Sequence, residues 1–319
     1  MTDRTPGAGS GPAEPRTAEQ QSTRTGLIAG VGAYALWGVL PLYFLSMRPA
    51  GPFEIVALRV LFALAFCAIL LTATKGWARF AGLVRQPRVA FTMGIAGILI
   101  FINWQVYLYG ALNGHVVETS LGYFINPIVS VFLGVIFLGE KLRPAQWAAV
   151  ALSLVAVVVL AVGYGSVPWI ALALAFSFGL YGFIKKRVGG QVDAVSGLTM
   201  ETAWLVPVAV VELIVVGATT GIVFGTAGAG NTAILLSAGV VTAIPLLLFA
   251  TAASRLPLTV IGFLQYFAPI LQFIIGITVA NEEMPPERLL GFGIVWLALI
   301  VLSVDAIAAG RARRLVQTG

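Results

Sequence analysis

The chain contains two halves that match each other without a gap when one is shifted by 142 positions. Identical residues then coincide at Gly97 and Gly239, Ile102 and Ile244, Ala111 and Ala253, Pro127 and Pro269, Gly134 and Gly276, Glu140 and Glu282, and Pro144 and Pro286. Each half contains five apolar segments, so the second half must enter a bilayer from the opposite side. Inverted repeats are a construction of transporters, because two such halves can rock about a site between them.

The apolar composition requires a membrane around most of this chain. Apolar residues make up 59% of the sequence and charged residues 10%, whereas about a quarter of a soluble domain is charged. A spanning helix needs about 20 apolar residues. Segments of that kind are predicted at 26–45, 54–73, 89–110, 116–138, 145–163, 167–184, 195–217, 232–253, 257–280 and 288–308. The sequence predicts an all-α integral membrane protein with ten transmembrane helices, in two inverted five-helix repeats at 26–163 and 167–308.

The positive charges predict the orientation, because Lys and Arg are retained on the cytoplasmic side. With the N-terminus inside, inner segments carry sixteen Lys and Arg residues, whereas outer loops carry only Arg48 and Arg288. Both termini are therefore predicted to be cytoplasmic, with 1–25 a disordered segment and 309–319 a basic tail. The net charge of +6 indicates contact with anionic lipid headgroups and gives no support for nucleic-acid binding.

Two charged residues lie where hydrocarbon should exclude them, at a cost of at least ~2.5–3.5 kcal/mol each near a helix centre. Arg59 lies inside the second predicted span near its outer end, and Glu201 lies at a similar depth in the seventh, near the inner end. Their positions are equivalent in the repeat. Either they face a central cavity and act on substrate or gating, or they are structural, held by neighbouring backbone carbonyls or by an ion pair such as Arg59 with Glu54 or Glu118.

Two prolines at equivalent positions, Pro127 and Pro269, predict matching helix kinks, because proline removes one helical hydrogen bond. Interrupted helices in transporters expose backbone polar groups near the midplane. Polar side chains around these prolines and in the third span are predicted to line the substrate cavity, although helix–helix hydrogen bonding is the alternative. The cavity candidates are Arg59, Asn103, Trp104, Tyr123, Asn126, Gln265, Tyr266 and Gln272. Proton coupling would need a carboxylate inside the membrane, for which Glu118 and Glu201 are the candidates.

Several catalytic classes lack their motifs in this sequence. It has no phosphate-binding G-x-x-x-x-G-K-[ST] loop and no G-x-S-x-G nucleophile turn. One histidine cannot supply a histidine-based metal cluster. The sequence therefore predicts no enzymatic activity, no cofactor and no metal.

Two strings of residues carry a family resemblance. Asn103–Trp104, Glu118-Thr-Ser-Leu-Gly-Tyr-Phe-Ile-Asn-Pro127 and Phe137-Leu-Gly-Glu140 resemble the RarD subgroup of the EamA family, in the drug/metabolite transporter superfamily. Gly262-Phe-Leu-Gln-Tyr266, Pro269 and Glu282 resemble it in the second half. The usual His-Arg pair of that subgroup is here Leu58 followed by Arg59. The resemblance implies a ten-helix transporter of the bacterial inner membrane, with a cavity lined by spans one, three, four, six, eight and nine. Members of the subgroup are commonly labelled chloramphenicol-sensitive or drug permeases.

These observations favour a secondary transporter that moves small metabolites, amino-acid-like solutes or drugs outward by alternating access. The expected partners are a small-molecule substrate and membrane lipids, with a homodimer left open. A sensor or scaffold that retains the fold without transporting is an alternative hypothesis, and a passive channel is a third. Gradient-dependent concentration of solute in proteoliposomes separates the first hypothesis from the other two.

Overall fold

The computed structural model describes residues 18–138, 142–188, 191–253, 255–256, 260 and 264–318. Every regular element in these ranges is a helix. The helices are α1 (Ala18–Leu45), α2 (Pro52–Ala73), α3 (Trp77–Val84), α4 (Pro87–Leu112), α5 (Val116–Leu138), α6 (Pro144–Tyr164), α7 (Trp169–Val188), α8 (Ala194–Thr219), α9 (Ala229–Leu236), α10 (Ala238–Ala253), α11 (Phe267–Thr278) and α12 (Pro286–Thr318).

Eight segments of the described chain are long and apolar enough to cross a membrane. They are Gln21–Leu45, Pro52–Ala73, Pro87–Leu112, Val116–Phe137, Pro144–Gly163, Ala194–Thr219, Ala229–Phe249 and Pro286–Asp305. The sixth and ninth predicted spans contain shorter apolar helices, Trp169–Lys185 and Phe267–Thr278. The all-helical, multi-pass membrane architecture is confirmed, and ten spanning helices in inverted repeats stay a prediction.

Three local features differ from the expectations. First, α1 begins at Ala18, so residues 18–25 are helical where disorder was predicted, because Ala18-Glu-Gln-Gln consists of strong helix formers; residues 1–17 lie outside the described residues. Second, the short helix α3 occupies the loop after the second span. Third, the eighth span is divided at Ser237 into α9 and α10.

The helices pack in a regular set of pairs. Helix α1 packs against α10 and α11, α2 against α8 and α10, α4 against α7 and α8, α5 against α7 and α11, and α6 against α12. One buried apolar cluster joins α1, α2, α4 and α8, and a second joins α5, α6 and α12. Each of these clusters combines residues from both halves of the sequence.

Two glycines from the repeat allow the closest helix approaches around α2 and α8. A Cβ on Gly97 of α4 would lie 3.0 Å from the carbonyl oxygen of Glu201 on α8. A Cβ on Gly239 of α10 would overlap the backbone of Phe62 on α2. Small residues let helix backbones approach closely in membranes, so both glycines are required for these contacts.

Contacts between loops place alternate connections at opposite ends of the bundle. At one end, called here the Glu282 end, Glu282 accepts from the backbone of Val116, and the side chain of Asn231 donates to the carbonyl of Met47 over 3.0 Å. At the other end, the Lys185 end, ion pairs join Lys185 to Glu201, Arg79 to Asp193 and Arg143 to Asp305. The predicted external loops meet at the Glu282 end and the predicted cytoplasmic ones at the Lys185 end.

Candidate substrate-binding site

The first feature of the interior is a buried cation. Arg59 on α2 has 5% of its surface exposed. Its Nε donates to Oγ1 of Thr242 on α10 over 2.7 Å. Its Cζ lies 4.1 Å from the ring centroid of Trp104 on α4 and 5.5 Å from that of Phe44 on α1. Side chains from three other helices and both halves of the sequence therefore surround this one guanidinium group.

Phenol groups complete the surroundings of this cation. Tyr43, Tyr107 and Tyr123 lie near enough to Arg59 to interact with its charge. The Tyr43 hydroxyl lies 2.8 Å from the hydroxyl of Ser237, and the Tyr123 hydroxyl is bonded to an amide. Tyr107 is 3% exposed, and its hydroxyl has no hydrogen-bond partner among the described residues. Of these three phenols, Tyr107 is therefore the one whose hydrogen-bonding capacity is unused.

Asn103 holds three helices together beside this group. Its Nδ2 donates to the carbonyl of Leu174 over 3.2 Å and to Oγ of Ser177 over 3.1 Å, both on α7. Its Oδ1 accepts the Tyr123 hydroxyl of α5 over 3.0 Å. Both N–H donors of the amide and one lone pair of its oxygen are occupied. The geometry therefore matches the helix–helix alternative for Asn103, and places it behind Tyr123 as a support.

Arg59 forms no ion pair with a carboxylate among the described residues. The suggested pairing with Glu54 is wrong, because Oε1 of Glu54 accepts the backbone N–H groups of Val223 and Phe224, over 2.9 and 2.7 Å. A structural ion pair therefore does not explain this arginine. An interior charge without a counterion is costly in a membrane.

Glu118 is also engaged away from Arg59, so the suggested pairing of these two residues is wrong. Oε1 of Glu118 accepts the backbone N–H of Ile170 in the first turn of α7 over 3.1 Å. Its Oε2 lies 3.8 Å from Nδ1 of His115. A carboxylate at a helix N-terminus satisfies otherwise unpaired N–H groups and interacts favourably with the helix dipole. Glu118 therefore ties α5 to α7; its proposed part in proton coupling stays a prediction.

Glu201, in contrast, has a cationic partner. Its Oε1 lies 2.7 Å from Nζ of Lys185, and its Oε2 accepts the Tyr181 hydroxyl over 3.2 Å. The Glu201 side chain is 1% exposed and that of Lys185 is 31% exposed. The pair joins α7 to α8 at the Lys185 end. This geometry matches the structural alternative for Glu201, and its part in proton coupling stays a prediction.

The first predicted kink proline lies inside a helix. Pro127 is an interior residue of α5. Since proline has no N–H, the carbonyl of Tyr123, four residues earlier, has no helical donor. Asn126, which is 8% exposed, has an Oδ1 without a hydrogen-bond partner among the described residues. The backbone carbonyl of Asn126 accepts a hydrogen bond from the Oγ hydroxyl of Ser130 over 2.9 Å. Two acceptors next to Pro127, the carbonyl of Tyr123 and Oδ1 of Asn126, are thus left without a helical or side-chain donor among the described residues, and the predicted kink stays a prediction.

The second proline differs from the first. Pro269 lies in the first turn of α11, which begins at Phe267 after a turn at Gln265 and Tyr266. A proline in a first turn removes no hydrogen bond of the helix that it begins. The kink predicted at Pro269 for the whole ninth span stays a prediction, since residues 257–259 and 261–263 lie outside the described residues. The Tyr266 hydroxyl interacts with Ser303 of α12 and with Gln265, and Tyr266 packs against the cluster of α5, α6 and α12. Gln265 and Tyr266 therefore lie apart from the group around Arg59.

Gln272 connects α11 to α1. Its Nε2 donates to the carbonyl of Trp37 over 3.0 Å. Its Oε1 has no partner within the described ranges, although the residue is only 2% exposed. Gln272 therefore offers an unused acceptor in the interface between the halves. Glu140, Gly262 and Phe263, which belong to the resembling strings, lie outside the described residues.

A second polar region lies at the Glu282 end. A cavity of about 250 Å³ is lined by Gly114, His115, Glu118, Glu282, Glu283 and Arg288. Glu282 accepts the backbone N–H groups of Val116 and, over 2.9 Å, Val117 at the start of α5. Burial raises the pKa of the Glu282 carboxyl, while the N–H groups of Val117 and Val116 act in the opposite direction. The carboxylate ties the loop before α12 to the N-terminus of α5.

Sequence reasoning missed part of the Arg59 group. Tyr107 follows Asn103 by one helical turn, and this spacing places both side chains on one face of α4. That signal was present, whereas Phe44, Tyr43 and Thr242 reach Arg59 only through the packing of α10 against α2 and of α1 against α10 and α4. The observed group also includes α2, which the resemblance did not place among the lining spans.

The fold and interior together define the class: an all-helical, multi-pass membrane protein with a polar centre between its two halves. Residues 24–162 match the EamA-like transporter family. Protein RarD of Streptomyces exfoliatus is 46% identical over 295 residues, which cover 92% of this chain and 93% of that protein. An uncharacterized transporter of Vibrio cholerae is 38% identical over 298 residues, covering 93% and 98%.

A crystal structure of a protein 20% identical to this chain superposes with a TM-score of 0.58, covering 90% of this chain and 98% of the other. That similarity shows the fold alone. The two sequence relatives show the family as well as the fold, because each is more than 30% identical and aligns with nearly the whole chain. The chain belongs to the RarD subgroup of the EamA-like transporter family, and is a membrane transporter or permease.

Proposed function

We propose that this protein is a secondary transporter of the bacterial inner membrane, which moves small metabolites, amino-acid-like solutes or drugs outward by alternating access between two inverted five-helix repeats. The first repeat comprises α1 to α6 and the second α7 to α12. The substrate is a small molecule, and the lipid bilayer is the other partner. Orientation with both termini in the cytoplasm follows from the distribution of Lys and Arg.

The observation that carries this proposal is the symmetry of the helix pairs. Exchanging the halves replaces α1, α2, α4, α5 and α6 by α7, α8, α10, α11 and α12. Under that exchange the pair α1–α10 becomes α7–α4, α2–α10 becomes α8–α4, and α5–α7 becomes α11–α1; all six occur. The pairs α2–α8, α5–α11 and α6–α12 map onto themselves. A symmetric interface of this kind allows one half to rock against the other.

The polar centre supports the same proposal. The group around Arg59 takes side chains from both halves, as a binding site between two moving units requires. A scaffold has no need for a buried cation without a counterion. A passive channel would need a continuous polar path, whereas Gly276 of α11 packs closely against the apolar side chain of Val117 of α5 at the Glu282 end.

A reversible cross-link tests alternating access. A Cβ on Gly276 would lie 2.6 Å from Cγ2 of Val117, so Val117→Cys with Gly276→Cys, in a Cys67→Ser background, should form a disulfide between α5 and α11. In proteoliposomes with an imposed proton gradient or membrane potential, the reduced variant should concentrate chloramphenicol or an aromatic amino acid, and the oxidised one should not. Each single-cysteine variant, treated with the same oxidant, is the matched control.

The outcomes separate the hypotheses. Movement of solute only down its own gradient would indicate a channel. Binding without movement under any gradient would favour the sensor or scaffold. Uptake that persists in fully oxidised protein would contradict opening at the Glu282 end.

Reporter fusions test the orientation and the inversion. A reporter after Gly319 and one within 184–194 should be cytoplasmic, whereas a reporter within 219–230 should be external. A cytoplasmic reporter at 219–230 would contradict the inverted arrangement, because that loop precedes α9 and contacts Glu54 at the Glu282 end.

A further inference from the structure

The guanidinium group of Arg59 is incompletely satisfied by the described residues. In the described part of the chain its one hydrogen bond runs from Nε to Thr242. A guanidinium group carries five N–H donors and cannot lose its proton in a protein. The two terminal nitrogens therefore hold four donors that no described residue accepts. Such donors are typical of a site that receives an anion.

The neighbouring aromatic rings do not replace that anion. Trp104 and Phe44 interact with the guanidinium through their faces, at 4.1 and 5.5 Å from Cζ. Contact with a ring face supplies attraction but accepts none of the N–H groups in the plane of the guanidinium. Tyr107 adds a further unused donor beside the charge, since its hydroxyl has no partner among the described residues. Two groups that can donate hydrogen bonds thus share one buried region.

We propose that Arg59 and Tyr107 bind the carboxylate of an amphipathic organic anion, the class of substrate that this protein carries. The planar fork of arginine matches a carboxylate with two parallel hydrogen bonds, and the Tyr107 hydroxyl donates a third. This inference rests on the proposed transport function and specifies its substrate.

The rings around the charge indicate the rest of the ligand. Tyr107 and Tyr123 lie 5.8 Å apart between centroids, and Tyr123 lies 5.8 Å from Phe178. Phe44 lies 6.0 Å from Tyr107. A ligand carboxylate at Arg59 would therefore have an aromatic wall beside it, which favours an apolar or aromatic body over a small inorganic anion.

Calorimetric titration of the full-length protein in detergent tests the site with two matched probes, 3-phenylpropanoate and 3-phenylpropanamide. They share a body and differ in charge. The wild type should bind the acid at least about tenfold more tightly than the amide, because hydrogen bonds to charged groups are roughly twice as strong as neutral ones. Arg59→Gln should reduce that ratio to about one without weakening amide binding.

Three further variants separate recognition from folding. Tyr107→Phe keeps the ring and removes the hydroxyl, and should lower acid affinity about threefold to tenfold. Arg59→Lys should keep part of the acid preference, since the charge survives without the planar fork. Arg79→Gln, which removes an exposed cation at the Lys185 end, should leave the preference unchanged. If Arg59→Gln does not fold, then unchanged acid preference in both Tyr107→Phe and Arg59→Lys would overturn the inference.

Competition identifies the source of the anion. Neither sodium chloride nor short-chain phosphatidylglycerol should displace the acid at concentrations near the dissociation constant of the acid. Displacement by either would overturn the organic-carboxylate assignment in favour of a general anion or lipid site, as would equal binding of acid and amide by the wild type. If the wild type shows no preference for the acid while proteoliposomes still concentrate another solute, the transport function is retained and the carboxylate site at Arg59 is refuted. Acid preference without transport of any solute refutes the transport function instead.

Discussion

Arg59 and Glu201 occupy equivalent positions in the two halves, but their surroundings differ. Glu201 has a lysine at 2.7 Å and a tyrosine hydroxyl at 3.2 Å, so its charge is balanced within the protein. Arg59 has a hydroxyl and two ring faces, and no carboxylate among the described residues. Both side chains are almost fully buried. Burial therefore does not distinguish them, whereas the presence of a counterion does.

The difference separates a structural charge from a recognition charge. An internally balanced pair stabilises the closed packing at one end and has little reason to bind an anion. A cation that lacks a counterion destabilises the empty protein until a ligand supplies one. The Lys185 end therefore carries a helix tie, while the corresponding depth near the Glu282 end carries the proposed carboxylate site.

The largest effect is expected at the glycines beside these two charged helices. Gly239→Val places a side chain on the backbone of Phe62, and Gly97→Val places one 3.0 Å from the carbonyl of Glu201. Overpacking against backbone costs ~1–3 kcal/mol or more, so Gly239→Val should lower the unfolding temperature and membrane abundance more than Gly97→Val. Gly82→Val, where no atom lies within 4 Å of the added Cβ, is the control. Equal tolerance of all three would contradict the close approaches.

Removing the Glu201 charge comes next. Glu201→Gln leaves Lys185 beside a buried neutral group. Lys185 is 31% exposed, and its stem can turn toward water. The free energy of unfolding should therefore fall by ~1–3 kcal/mol, less than the ~3–5 kcal/mol lost when a fully buried pair is broken. Unfolding temperatures in detergent measure it. Adding Lys185→Gln should restore part of the loss; no restoration would mean that the pair is not what stabilises this end.

Replacing Pro127 and replacing Pro269 should change the transport rate to different extents. Pro127→Ala restores an N–H inside α5, satisfies the Tyr123 carbonyl and straightens the helix that carries Tyr123, so the transport rate should fall about tenfold or more. Pro269→Ala changes a first-turn residue of α11 and should alter the rate by less than about threefold. Initial uptake rates at matched membrane abundance decide, and equal loss in both variants would contradict the asymmetry.

The smallest effect is expected from Arg59→Gln on stability. Replacing a buried charge that lacks a counterion by a neutral amide removes a desolvation cost. The free energy of unfolding in ligand-free detergent should therefore stay within about 1 kcal/mol of wild type, or rise. Measured beside Glu201→Gln, it tests the contrast directly. A loss larger than that of Glu201→Gln would make Arg59 a structural residue.

Much of the fold could be predicted because membrane spans are long and their apolar runs are continuous. The all-helical, multi-pass architecture could be predicted from the length of these apolar runs and from the composition alone. The boundaries were less accessible: the start of α1 at Ala18 depends on the propensity of a polar turn, and the break at Ser237 leaves no signal in an apolar run. The turn before Pro269 differs from α5 although the prolines align, since one proline can stand inside a helix or begin it.

The site was predictable as a set of residue types and not as a set of contacts. Arg59, Trp104 and Tyr123 were selected as unusual polar or aromatic residues in spans, and they do lie together. Glu118 was selected by the same argument, but it faces the N-terminus of α7. Rotation of each helix about its axis decides which side chains meet, and hydropathy alone does not encode that rotation.

The contact of Glu282 with the start of α5 has a consequence for timing. The carboxylate bridges the two halves through backbone N–H groups, so it discriminates among no solutes. Parting that end would break hydrogen bonds to a charged group, each contributing ~1.5–3 kcal/mol, and each such contribution lengthens the dwell time of the closed state by roughly 10- to 100-fold. If the halves part at that end, as the proposed alternating access requires, Glu282 sets how often the protein completes a transport cycle, independently of the solute that it carries.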